Sequence, residues 1–223
     1  MQQRRIVFVI FPGFQSLDLV GPHDVFRCAG ALSGSYTTQV VAACPGPVRS
    51  GSGLTVSAEC GVTGLDPGEI DTLVVAGGDG VDQACHDPAL VGWLAAAGAS
   101  VRRLASVCSG VFLLAAAGLV TGRTVTTHWA RAEQLTQEHP ELTVDCDPIF
   151  IKDGRIWTSA GVTAGMDLAL ALVEEDLGRD GAGTAPVAGR RRARRPGPGP
   201  PPPGRARGPC PPSPPPTSIS ARP

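Results

Sequence analysis

Val101 to Trp129 reads VRRLASVCSGVFLLAAAGLVTGRTVTTHW. Leu104 to Val107 is a short apolar run, Cys108 follows, and Ser109-Gly110 leads into the small-residue run Val111 to Ala117. This is the pattern of a buried strand, one sharp turn and a helix. Length and flanks carry the strand assignment, because periodicity cannot separate a short apolar run from a buried helix segment. Cys108 then stands at the turn with its sulfur by the helix N-terminus. Unpaired N–H groups and the positive end of the helix dipole favour an anion there. A thiol so placed is expected to titrate below its ordinary value of roughly 8.5 and to be the most reactive in the chain. His128 is the only His of the stretch, and a thiol with a His is the minimum kit for nucleophilic catalysis. A Cys between Val107 and Ser109 is equally compatible with an inert core position, since Cys is among the most buried residue types. The surrounding chain has to decide.

Outward from this stretch, strands and helices alternate. Ile6 to Phe11 is a continuous apolar run ended by Pro12-Gly13, as for a strand buried on both faces. Pro22 fits the first turn of a helix running to about Ala31. Thr37 to Ala43 reads as the next strand, and Val48 to Glu59, with Gly51 and Gly53 inside, as a small hairpin or an extended excursion. Thr72 to Ala76 is a third apolar run, stopped by Gly77-Gly78-Asp79-Gly80. Asp87-Pro88 opens a helix through Ala97, with Asp87 as cap. Trp129 to Glu138 reads as a polar helix. Asp153-Gly154 joins Ile149–Lys152 to Arg155–Thr158 in a hairpin. Thr163 to Leu177 carries apolar residues at helical spacing, among them Met166, Leu170, Val173 and Leu177. The alternation predicts an α/β fold with a mostly parallel sheet sandwiched by helices.

The chain has 223 residues, which suits one domain with a tail, divided here as 1–178 and 179–223. The near-neutral total hides two unlike parts. Residues 1–178 hold 10 Arg/Lys and 19 Asp/Glu, whereas 179–223 hold nine Arg, one Asp and 14 of the 22 prolines. The tail has no apolar periodicity and is expected to be disordered. Seven Cys without metal-type spacing suggest neither a disulfide framework nor a metal site, and a reducing cytoplasmic setting fits them best. The N-terminal apolar run is too short for a signal segment, and no run reaches the roughly 20 apolar residues of a membrane span.

Four stretches, in order, carry a resemblance: LDLVGPHDVF (Leu17–Phe26), VAGGDG (Val75–Gly80), SVCSGVFLLAAAGLVTGRTVTTHW (Ser106–Trp129) and TSAGVTAGMDLAL (Thr158–Leu170). Together they resemble the ThiJ/PfpI family of the class I glutamine amidotransferase-like superfamily, with its flavodoxin-like sheet. Two subgroups are similar: the ligand-binding domain of AraC-type transcription regulators, and isonitrile hydratase, which converts isonitriles to N-substituted formamides. The resemblance implies that Cys108 is the elbow nucleophile and that Asp18 reaches the thiol from the loop after the first strand. Gly78 N–H and Ser109 N–H would form an anion hole beside Gly77. Ser109 stands where the hydratase has Thr, and His128 matches the family's histidine near the thiol.

Each residue also has a plainer role open to it. Asp18 could cap a helix, Gly77 and Gly78 could serve only their turn, and His128 could be structural. The resemblance further implies a small-molecule ligand or substrate, a homodimer, and neither cofactor nor metal. The regulator subgroup continues into a helix-turn-helix domain where this chain has its Pro/Arg tail. On that ground the expectation is a regulator's sensory domain truncated before its DNA reader, without sequence-specific DNA binding. The rival is a cysteine-dependent hydratase using Cys108 and Asp18.

Overall fold

The structure is a computed structural model that describes residues 3–183. A strand β1 (Arg4–Val9) leads into helix α1 (Ser16–Ser33) and back to β2 (Tyr36–Ala42). A hairpin of β3 (Gly46–Arg49) and β4 (Thr55–Ala58) follows, then the short β5 (Cys60–Gly61) and β6 (Thr72–Val75). One turn of helix, α2 (Val81–Ala84), precedes α3 (Pro88–Ser100), β7 (Arg103–Val107) and the six-residue α4 (Val111–Ala116). The remainder is β8 (Thr124–Val125), α5 (Ala132–Glu138), β9 (Thr143–Val144), β10 (Phe150–Asp153), β11 (Ile156–Ser159) and α6 (Ala164–Gly183).

The main sheet has seven strands in the order β10-β11-β7-β6-β1-β2-β5. All neighbours are parallel except the β10–β11 hairpin at one edge. The β-branched runs expected to be buried on both faces are so: Ile6 to Phe11 and Leu73 to Val75 are at most 2% exposed. Helix α1 packs on α6, and α3 on α4, covering the two faces. The chain leaves β1 towards β2 on one side and reaches β6 on the other. That reversal of strand order opens a crevice at the strand C-termini, the usual place for a ligand in such sheets.

Three sequence expectations shift. Helix α1 starts at Ser16, six residues before the Pro22 taken as its first turn, so Pro22 lies inside it. A proline there withholds a single N–H. The Gly21-Pro22 pair lies where α1 runs close to α6: a Cβ on Gly21 would stand 2.7 Å from Met166 Cγ. Helix α6 also runs past Leu177, where the helix was expected to end, to Gly183, across a non-helical residue at Gly178 (φ 75°, ψ 177°). The tail expected to be disordered lies, from residue 184 on, outside the described residues. The small parallel pair β8–β9 was not expected at all.

At the opposite end of the sheet from the crevice, the first residues of several strands converge on α6. Asp176 accepts from Arg103 Nη2 at 2.6 Å, Arg102 Nη2 at 2.9 Å and Tyr36 Oη at 2.9 Å. Arg103 is 3% exposed and also bonds Thr72 Oγ1 and the Leu172 carbonyl.

Candidate functional site

Cys108 is where the sequence put it, directly after β7, and its φ of +57° is the left-handed turn of a nucleophile elbow. A non-glycine residue rarely adopts this φ. The neighbourhood is shaped to permit it. A Cβ on Gly77 would stand 2.5 Å from Ser109 N, and one on Gly161 would stand 2.5 Å from Cys108 Cβ and 2.9 Å from its Sγ. Backbone from two other loops therefore closes on the elbow where no side chain fits. From below, Thr127 donates its hydroxyl to the Cys108 carbonyl at 3.0 Å.

Asp18 sits in the first turn of α1 but does not cap it. Its carboxylate is 0% exposed and turns towards the crevice, accepting Val162 N–H on Oδ1 at 3.0 Å and Gly77 N–H on Oδ2 at 3.3 Å. Val162 has φ +53°, a strained setting for a β-branched residue, and that backbone twist goes with an N–H aimed at Asp18. The carboxyl also hydrogen-bonds the Cys108 thiol. Burial pushes Asp18 up to about 6, against the three hydrogen bonds, which act the other way.

The expected low-pKa thiolate is not what the structure holds. Burial first, and then the Asp18 charge, push the Cys108 thiol up to about 12, outweighing the Ser109 hydrogen bonds that lower it. The helix after the elbow has only six residues and is preceded by a tight 3-10 turn, so its dipole is too small to offset removing the sulfur from water. Two buried acids in contact titrate as a pair. Between about 6 and about 12 they hold one proton between them.

One of the two donors of the expected anion hole is taken by a side chain of the site itself. Gly78 N–H donates to Ser109 Oγ at 2.9 Å, and the hydroxyl donates back to the Gly78 carbonyl at 3.2 Å. His128 lies on the wall of the same cleft, but its Nδ1 accepts Ala130 N–H at 3.3 Å and so caps the following turn. Burial and the nearby Arg131 hold its pKa below the usual histidine value. The cleft has a volume of about 240 Å³ and brings Cys108, Ser109, Gly78 and His128 together. Asp18 lies beneath it, in contact with the thiol.

Val162 and Arg131 are among the lining residues that went unread in the sequence. A backbone donor such as Val162 N–H has no residue signature. The spacing of His128 and Arg131 within one tight turn was the available signal for the second. Among the described residues no group of His, Cys, Asp or Glu is placed to hold a metal, and no helix is long and apolar enough to cross a membrane.

A parallel sheet flanked by helices, with a cysteine elbow at its crevice, defines a class of α/β proteins built around one buried thiol. Residues 4–175 match the DJ-1/PfpI family, and the chain belongs to it. It is 35% identical over 181 residues to isonitrile hydratase of Pseudomonas putida, covering 80% of this chain and 74% of that one. It is 33% identical over 172 residues to the HTH-type transcriptional regulator CdhR of Pseudomonas aeruginosa, covering 77% of this chain and 50% of the regulator. Among solved structures, a ThiJ/PfpI family protein from Pseudomonas syringae superposes with a TM-score of 0.75 at 33% identity, covering 83% of this chain and 74% of that one.

Proposed function

We propose that the described residues form a ligand-sensing domain of the kind carried by AraC-type regulators, binding a small molecule in the Cys108 cleft without turning it over. The observation that carries this reading is the Ser109 hydroxyl. It occupies the Gly78 N–H that would otherwise receive a developing negative charge. A donor satisfied by a neighbouring hydroxyl is withheld from a transition state until that hydroxyl moves, which leaves Ser109 N–H alone. The shared proton of Cys108 and Asp18 points the same way, since the sulfur is not held as a free thiolate. The match to about half of a regulator's length is what a separate sensing domain produces. DNA recognition is assigned to none of the described elements.

A hydratase is the second reading, favoured by the intact contact between Asp18 and Cys108. There the sulfur attacks the electrophilic isonitrile carbon and the carboxyl supplies the proton, giving a thioimidate; water then adds to that carbon, and the C–S bond breaks to release the formamide and the thiol. Incubation with a panel of alkyl and aryl isonitriles separates the two. The sensing reading expects no more formamide than the Cys108→Ala variant produces. Formamide formation that depends on Cys108 would replace it with the hydratase.

A further inference from the structure

We propose that Arg131 makes the cleft selective for small molecules bearing a carboxylate. This rests on the reading that the Cys108 cleft receives a small molecule. Arg131 is the one Arg or Lys among the residues lining the cleft. The other ionisable groups there are Asp79, the thiol and His128, with Asp18 beneath. Arg131 is therefore the lining group able to pair with an anion.

The guanidinium is held in place but not used up. It lies over the Phe112 ring at 4.8 Å, and its backbone N–H is tied to the His128 carbonyl at 2.8 Å. Nη2 makes one bond, to Asp82 Oδ1 at 2.5 Å, while Nε is enclosed and so closed to a ligand. The Asp82 side chain is 56% exposed, so solvent and salt screen that ion pair. A guanidinium carries five N–H donors, and the protein bonds one of them here, which leaves the Nη end to meet a carboxylate. The cleft volume of about 240 Å³ falls below the roughly 300–1,000 Å³ of drug-sized sites, which favours a small occupant. An acid seated on Arg131 places its remaining atoms over Cys108 and Ser109, which line the same cleft.

Cys108 serves as the reporter. The protein is alkylated at about pH 9, where thiols begin to ionise, with iodoacetate or with its neutral isostere iodoacetamide. Modification is followed by peptide mass spectrometry, with the exposed Cys44 as internal reference. Both reagents lose iodide to the same thiolate, so the ionisation of Cys108 cancels in the ratio of their rates. The iodoacetate-to-iodoacetamide ratio at Cys108, normalised to Cys44, should exceed one. Arg131→Gln should lower it by about five-fold or more, Arg131→Lys should keep part of it, and Asp82→Ala should maintain or raise it. A second measurement needs no variant: propionate should slow iodoacetamide labelling of Cys108, and propionamide should not. A ratio unchanged in Arg131→Gln, or equal protection by the acid and the amide, overturns the selectivity.

Discussion

Replacing Asp18 by Asn should change the sign of its effect on stability between acid and mildly basic pH. The carboxyl is fully buried and pushed from 3.8 to about 6 by burial. A raised folded pKa means that the native state binds this proton more tightly than the unfolded chain does. The stability so conferred is present below the unfolded value and is lost as pH rises through about 6. At 1.36 kcal/mol per unit the loss is about 3 kcal/mol. Asn escapes it, having no charge to bury. Its amide nitrogen cannot accept from Gly77 N–H, however, which costs roughly 1–2 kcal/mol at every pH. The variant should therefore be less stable than the parent by about 1–2 kcal/mol near pH 4 and more stable by a similar amount near pH 8. Cys108, raised from 9.0 to about 12, loses its own contribution only above that range. For a domain of this size 1 kcal/mol moves Tm by about 2–4 °C, so the Tm difference should swing by roughly 6–12 °C. Paired thermal denaturation at the two pH values, at fixed ionic strength, measures it. A Tm difference that stays the same at both would show that Asp18 is not a buried acid with a raised pKa.

The shared proton of Asp18 and Cys108 should give Cys108 alkylation two inflections against pH, near 6 and again towards 12, as expected of a coupled pair. Asp18→Ala should leave one, and a single step in the parent would rule out the coupling. At the other end of the sheet, Arg103→Ala should leave the buried Asp176 short of a partner and cost about 3–5 kcal/mol, read from urea unfolding; a loss under about 1 kcal/mol would show that Arg102 and Tyr36 suffice.

The elbow was legible because its requirements are local: an apolar run, a Cys and two small residues follow one another in the chain. The Asp87-Pro88 helix start was equally plain, and its side chain does accept from Ala89 and Leu90 N–H. Asp18 could be assigned only through the resemblance, because its partners Gly77 and Val162 come from distant loops. Pro22 misled because a preferred position for proline is not a required one, and the close packing of α1 on α6 is a tertiary fact. The raised thiol pKa was missed for a related reason. A helix N-terminus can be read from sequence, but the depth at which the sulfur lies cannot. The β8–β9 pair has two residues per strand, below what any pattern can mark.

Helix α6 begins two residues after Val162, whose N–H holds Asp18. Twelve residues further along, Asp176 is bolted to the strand starts by Arg102, Arg103 and Tyr36. At about 1.5 Å per residue the two fixed points lie roughly 18 Å apart. The helix is thus a strut spanning the sheet, pinned at the cleft end and at the far edge. One continuous helical segment therefore joins the loop that holds Asp18 to the clasp around Asp176. The first backbone freedom beyond that clasp is at Gly178, where the helical dihedrals break. The clasp around Asp176 and the break at Gly178 thus lie two residues apart, at the end of the element that starts beside the cysteine.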